Sequence, residues 1–312
     1  MASKMPVARD HDNRTINIAV AEQGQYTKPL RCEHCDATVS FVGAHSRNVG
    51  DDIVVVDPFF RLNPGQRHGE ACRYNVHGQI KVIASTSEGD VIAAIQGNRY
   101  ELRLLAVRKA LVELRELAQK KRSFDSDKPP TPDDKVYVDA GKKLGAYINS
   151  AKRVLQVRAA CEAHAEIEEV LQLVFEGAHV HWRDFYFEDD SYFSCFHQVD
   201  RRTVPVPIAV RGTIKKISVV KASFAVIDLV RPWRELNGPG VRDMACLSIW
   251  SPDLDAFNSY AEGQDILAFG LWESRGMKES ENKNPHSPVR LFRNHELRLW
   301  PVTASQVCRI KD

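Results

Sequence analysis

Ile208-Ala209-Val210-Arg211-Gly212-Thr213-Ile214 is the stretch on which the reading of the fold turns. Ile208, Val210 and Ile214 recur at the period of a half-buried strand, and Gly212 sits among them where a strongly curved strand needs a bulge or a close approach. Four more strands are predicted downstream: Phe224–Leu229, residues 245–250 after the turn Asn237-Gly238-Pro239-Gly240, residues 263–272, and residues 290–302 with Leu291, Leu297 and Leu299 on the apolar face. Between the third and fourth, Leu254, Phe257 and Tyr260 are spaced i, i+3, i+6, which predicts a short helix; residues 273–288 read as a long polar loop. Five such strands in about 130 residues predict a small closed β-barrel over residues 181–312.

Working back from that barrel, Trp182, Phe185, Tyr186, Phe187, Tyr192, Phe193 and Phe196 crowd fifteen residues and suit β structure with a packed aromatic junction. Residues 91–180 read as helical. Asn98 and Glu101 have capping-box spacing, and Leu102, Leu105, Leu111, Leu114 and Leu117 then form one apolar stripe that Lys120-Lys121-Arg122 closes. Pro129, Pro130 and Pro132 mark a linker at 123–134. A second helix is predicted from about Asp139 through Leu144, Ile148, Ala151 and Leu155, and a further one through Glu166, Val170 and Leu173 to a stop at Gly177. Helices of this kind offer a face for a protein partner or for self-association.

Residues 1–90 read as short strands and loops, with Ile16, Ile18 and Val20 alternating and Ile53-Val54-Val55-Val56 of the buried-strand type. Cys32-Glu33-His34-Cys35 is a C-x2-C pair, followed much later by His68 and Cys72. A two-residue gap lets a tight turn aim both thiolates at one tetrahedral Zn2+, and an H-x3-C gap of one helical turn presents its two ligands on one side. Cys32, Cys35, His68 and Cys72 are therefore the expected ligands of a structural Zn2+, with His34, His45 and His77 as rivals. The fold class expected is α+β multidomain: a zinc-ribbon-like module, a helical middle segment and a five-stranded OB-like β-barrel.

Composition narrows the setting. Seven cysteines are an odd number and argue against a disulfide framework, fitting a reducing compartment. No apolar run approaches the roughly 20 residues that span a bilayer, and the first ten residues lack the apolar core of a secretory signal, so a cytoplasmic protein without membrane contact is expected. The formal net charge is only +2, so any nucleic-acid contact must come from a local face.

Two resemblances sharpen this. Leu30-Arg31-Cys32-x2-Cys35, then Val39, then Phe60-Arg61-Leu62 before His68-x3-Cys72-Arg73-Tyr74, resembles the zinc-binding region of competence-protein CoiA-like bacterial proteins, over about a quarter of the chain. That family also carries a restriction-endonuclease-type domain. Its carboxylate-and-lysine pattern is not matched here, since Asp139-x2-Lys142 has the wrong spacing, so a metal-dependent nuclease stands as the alternative function. Arg211-Gly212-x-Ile214, Phe224-x-x-Ile227-Asp228 and Glu262-Gly263-x-Asp265-Ile266-x-x-Phe269-Gly270 resemble the OB domains of single-strand-binding proteins and of the exonuclease VII large subunit.

The zinc knuckle and the cation-aromatic barrel point to an accessory protein that binds single-stranded DNA or RNA, in bacterial DNA uptake, mobile-element or defence processes, with no catalytic residues assigned. A single strand is held by cations on phosphates and rings on bases, at about 1–3 kcal/mol per stacked base. The candidates are Arg211, Lys215, Lys216, Lys221, Arg290 and Arg293 with Phe224, Trp250, Trp272 and Phe292; Trp272, Phe292 and the cations rank first because one face of each strand must be core. A protein-interaction adaptor using the barrel surface is the third class. His179, His181, Asp184, Glu188, Asp189 and Asp190 read as a solvated acidic turn rather than a metal site.

Overall fold

The structure, a computed structural model, describes residues 4–95, 99–123, 132–161, 164–235, 240–284 and 286–310, with the side chains of 117–141 outside the description. Strand outweighs helix, 40% against 26%, so the chain is mostly β and not a helical middle feeding a barrel. The strands among the described residues form four sheets, and none of these sheets closes.

The largest sheet replaces the expected barrel. Its strands run in the spatial order Trp272–Glu281, Leu291–Leu299, Val241–Ser251, Phe224–Leu229, Ile208–Val220, Asp265–Gly270, Val307–Arg309, with Tyr186–Phe187 and Trp233–Glu235 attached at the side. The segments read as strands are strands, but two unforeseen ones occupy the ends of the sheet. The supposed polar loop after Trp272 is the strand Trp272–Glu281, hairpinned on Leu291–Leu299. It was illegible because an edge strand with exposed residues on both faces carries no apolar alternation. At the other end the three-residue Val307–Arg309 pairs with Asp265–Gly270. The expected helix over residues 251–263 is a series of turns, with Phe257 alone fully buried among its spaced apolar residues.

Gly212 answers to close approach rather than to a bulge. A Cβ there would lie 2.0 Å from the Tyr192 hydroxyl, and Tyr192 donates to the Arg211 carbonyl at 2.8 Å. The register shift in this strand falls later, between Ile214 and Lys216. Tyr192 belongs to the helix Tyr192–Arg201, which covers the inner face of the sheet with Cys195 and Phe196 against Ile214, Leu247, Leu297 and Trp272. The aromatic crowd is thus core as expected, yet it is carried on short helical turns and this helix, with only Tyr186–Phe187 as strand.

The middle segment is mixed. Ala178–Val180, Leu171–Phe175, Arg99–Arg103 and Ile92–Ile95 form a four-stranded sheet in that order, and Arg99–Arg103 runs parallel to Leu171–Phe175. The helices Leu104–Ser123 and Pro132–Ala160 form the connection between these two strands, and only then does the short helix His164–Glu168 follow. Leu102 is therefore a strand residue, and Asn98 lies outside the described residues along with Pro129 and Pro130. Pro132 opens the second helix, where a proline loses no hydrogen bond. The supposed helix through Leu173 is a strand whose Leu171 and Leu173 are buried at period two. Gly177 ends no helix. With Glu176 it supplies the two positive-φ positions, +51° and +81°, of a tight hairpin turn.

The N-terminal sheet runs Thr15–Asn17, Val7–Arg9, Leu30–Cys32, Thr38–Val42, Phe59–Leu62. The alternation Ile16, Ile18, Val20 does not continue as strand, because the Asn17 side chain accepts the Val20 N–H at 3.0 Å and caps the short helix Ile18–Glu22. His45–Val49 and Asp52–Val56 form a separate hairpin. Its β-branched run is not buried on both faces: Val54 is covered, whereas Ile53 and Val55 are 70% and 64% exposed. Three ion pairs between residues far apart in sequence tie this hairpin to the rest, Arg47 with Asp189, Asp51 with Arg242 and Asp52 with Lys215. No described helix is long and apolar enough to cross a membrane.

Candidate metal centre and aromatic sheet face

Cys32 ends the strand Leu30–Cys32, and Cys35 lies in the turn before Thr38–Val42. His68 and Cys72 come from the segment between Phe59–Leu62 and the helix Val76–Ser85. That segment is not one helical turn. It is a chain of tight turns in which the Cys72 N–H reaches the Gly69 carbonyl at 2.9 Å, and it brings the two ligands together as effectively.

The four ligand atoms lie within 4.8 Å of one another. The Cys32 and Cys72 sulfurs are 3.7 Å apart, and His68 Nδ1 is 3.5 Å from Cys35 Sγ and 3.3 Å from Cys72 Sγ. A tetrahedral site with metal–sulfur bonds of about 2.3 Å and a metal–nitrogen bond of about 2.0–2.1 Å has S···S edges of roughly 3.8 Å and S···N edges of roughly 3.5 Å. A disulfide needs about 2.05 Å. The spacing is that of metal ligands, and these residues could hold one ion.

Backbone donors complete the site. The N–H of His34 reaches Cys32 Sγ and that of Tyr74 reaches Cys72 Sγ, each at 3.4 Å and each from two residues on. Burial raises the Cys35 thiol, but N–H groups of Gly69 and Ala37 and the neighbouring thiols outweigh it and bring that thiol below its ordinary value. Burial pushes Cys72 up to about 12 and His68 down to about 4, so without a bound cation both groups favour their uncharged forms. A cation at the centre reverses the thiol preference, because a coordinating thiol is deprotonated outright. Arg9, which the sequence reading missed, braces the turn from outside: its guanidinium donates to the carbonyls of Cys32 at 3.2 Å and Cys35 at 3.1 Å. Its signal was only its place in the strand paired with Leu30–Cys32.

The rival histidines are occupied otherwise. His34 packs on Tyr74 and lies 3.3 Å from a Glu33 carboxylate oxygen, His45 contacts the Gly43 carbonyl, and His77 faces the Tyr100 ring. The acidic turn does not converge on a point either. Asp189 is buried against Arg47, and His179 and His181 pack edge to face. Among the described residues, the Cys3His group is the one cluster whose ligand atoms come together.

The proposed nucleic-acid residues scatter. Trp272 is 3% exposed, with its indole N–H on the Ile208 carbonyl, so it has no face to offer a base. Arg211 is turned inward onto Asp265 at 3.1 Å and Glu188 at 3.4 Å. Lys215 pairs with Asp52 at 2.9 Å and Arg293 with Glu279 at 3.1 Å. Lys216, Lys221 and Arg290 are exposed.

Phe224, Trp250 and Phe292, by contrast, stand half-buried on the outward face of the large sheet. Trp300, absent from the sequence candidates, joins them: its ring centroid is 5.5 Å from Phe224 and 5.6 Å from Trp250. Arg298 lies over the Trp250 ring at 4.4 Å. Strand pairing sets Lys216 opposite Asp228, Asp228 opposite Ser248 and Ser248 opposite Arg298, a polar row beside the rings. A groove of about 490 Å³ opens along this face between Trp250, Phe292, Arg231 and Arg298. Its carboxylates are all paired, Asp51 with Arg242 at 3.0 Å, Asp228 with Arg231 at 3.2 Å, and Glu296 with Lys278 at 2.6 Å and Arg298 at 3.6 Å. No protein-family model and no curated protein matches this chain.

Proposed function

We propose that this chain binds single-stranded nucleic acid on the outward face of its C-terminal sheet and that its Cys3His site holds a structural Zn2+. The observation that carries the first part is the half-exposed cluster Phe224, Trp250 and Trp300 with Arg298 stacked over one ring. Rings in this setting accept bases at about 1–3 kcal/mol each, whatever the sequence. Carboxylates on the same face offset part of the positive charge, which favours a stacked strand over a duplex held by phosphates alone.

The second part rests on three thiols and an imidazole at tetrahedral spacing, a donor set that suits zinc and leaves no open coordination position. The ion then acts as a crosslink between the two halves of the N-terminal module. Intrinsic tryptophan fluorescence tests the nucleic-acid reading. Single-stranded oligonucleotide should quench Trp250 and Trp300 saturably while a matched duplex quenches far less; an unchanged spectrum in low salt overturns it.

A further inference from the structure

A second cavity lies away from the sheet face. It measures about 1080 Å³, above the size range of ordinary small-molecule sites, and is walled by the N-terminal strand, the hairpin, the helix Pro132–Ala160 and the edge of the large sheet. Five Lys and Arg side chains face three carboxylates along it. The acids are not spread evenly. Glu188 and Asp265 both serve Arg211 at the floor, and Arg47 is taken by Asp189.

Lys4, Lys152 and Arg309 remain, against the single carboxylate Asp57, and among the described residues neither Lys152 nor Arg309 forms a salt bridge. Arg309 lies 5.6 Å from the centroid of the half-buried Tyr260 ring, whose hydroxyl is fixed on the Val307 carbonyl at 2.9 Å. On the other wall Lys4 sits over the Phe59 ring at 4.9 Å, held there by its backbone N–H on the Ala160 carbonyl at 3.0 Å. Each wall of the cleft thus presents a flat ring with a cation over it.

We infer that this cleft binds a nucleoside phosphate, the base against the Tyr260 ring and the phosphate on Lys152 and Arg309. A ring alone suits any flat apolar molecule and a cation alone any anion; their juxtaposition selects a ligand that carries both. The chemistry is shared by a free nucleotide and by the phosphorylated end of a strand. The site is independent of the sheet face, since none of its groups lines the groove beside Trp250.

Fluorescence anisotropy with a fluorescent adenosine diphosphate and, separately, a labelled 5′-phosphorylated octanucleotide tests the inference on the full chain. Saturable binding of at least one probe is expected, tenfold or more weaker in Lys152→Glu/Arg309→Glu and in Tyr260→Leu, and near normal in Tyr260→Phe. Trp250→Ala should leave the diphosphate affinity unchanged, which separates this site from the sheet face. Preference for the diphosphate marks a free nucleotide as the ligand and preference for the octanucleotide marks a strand end. Absence of binding by both probes at about 50 mM salt overturns the inference. So does affinity unmoved by the charge reversals in variants that keep the native circular-dichroism spectrum, or displacement by inorganic phosphate as effective as by unlabelled nucleotide.

Discussion

Cys32 and Cys72 are 40 positions apart in sequence and their sulfurs are 3.7 Å apart in space, each accepting a backbone N–H from two residues further on. The two sulfurs close the N-terminal module around a core of Met5, Ala8, Leu30, Val39, Phe60 and Leu62. A core of that size is marginal alone, and a bound ion converts its binding free energy into folding free energy.

Removal of the metal should therefore unfold the N-terminal module before the rest. Elemental analysis is expected to give one zinc per chain, lost in Cys72→Ser. A strong chelator should raise amide exchange across residues 5–75 while the sheet strands Val241–Ser251 and Leu291–Leu299 stay protected; uniform protection with and without chelator contradicts this.

Gly212→Ala places a methyl group 2.0 Å from the Tyr192 hydroxyl, at a backbone strand that cannot retreat. Overpacking of this kind costs about 1–3 kcal/mol. Tyr192→Phe alone should cost about 1 kcal/mol for the bond to the Arg211 carbonyl. Combined, the two changes should cost less than their sum, because removing the oxygen relieves the clash; urea denaturation of all three variants measures it.

The hairpin ion pairs should differ in worth. Arg47→Ala leaves the buried Asp189 carboxylate without its cation and is expected to cost roughly 2–4 kcal/mol. Asp52→Ala breaks a partly exposed pair with Lys215 and should cost less than about 1 kcal/mol. Equal losses in thermal denaturation would show that burial does not set the difference.

Acid should weaken the large sheet through His295. Burial lowers its pKa below 6.5, against the opposing pull of Asp243, with His197 and Arg234 adding to the lowering. The unfolded chain then takes up a proton near pH 6.5 before the folded chain does, so stability falls as the pH drops from about 6.5 towards the folded value and levels off below it. His295→Asn should flatten that part of the melting-temperature profile. An identical slope in the variant places the titration elsewhere.

The Cys3His cluster was legible because its spacing is chemistry written locally: a C-x2-C pair and an H-x3-C pair each imply a turn that aims two side chains at one point. The middle sheet was not, because Val170 with Leu173, and Leu102 with Leu105, fit a helical stripe until their strand partners are known, and the parallel pairing of Arg99–Arg103 with Leu171–Phe175 spans some 70 residues. The barrel failed for a related reason. Whether a sheet closes depends on what occupies its ends, and Trp272–Glu281 and Val307–Arg309 carry almost no periodic signal. Burial also sorted the aromatics in a way composition could not. Trp272 went inward, whereas Trp300 emerged beside Trp250 because it continues the parallel pairing of Val241–Ser251 with Leu291–Leu299 by one residue.

The most direct measurement is the affinity of a fluorescein-labelled fifteen-residue oligothymidylate for the intact chain and for Trp250→Ala/Trp300→Ala across a salt series. Two stacking rings at about 1–3 kcal/mol each predict at least a roughly 30-fold loss in the double variant, with a shallow salt slope retained. Equal affinity of the two proteins, or no binding by either at about 50 mM salt, would contradict the assignment of this sheet face to single-stranded nucleic acid.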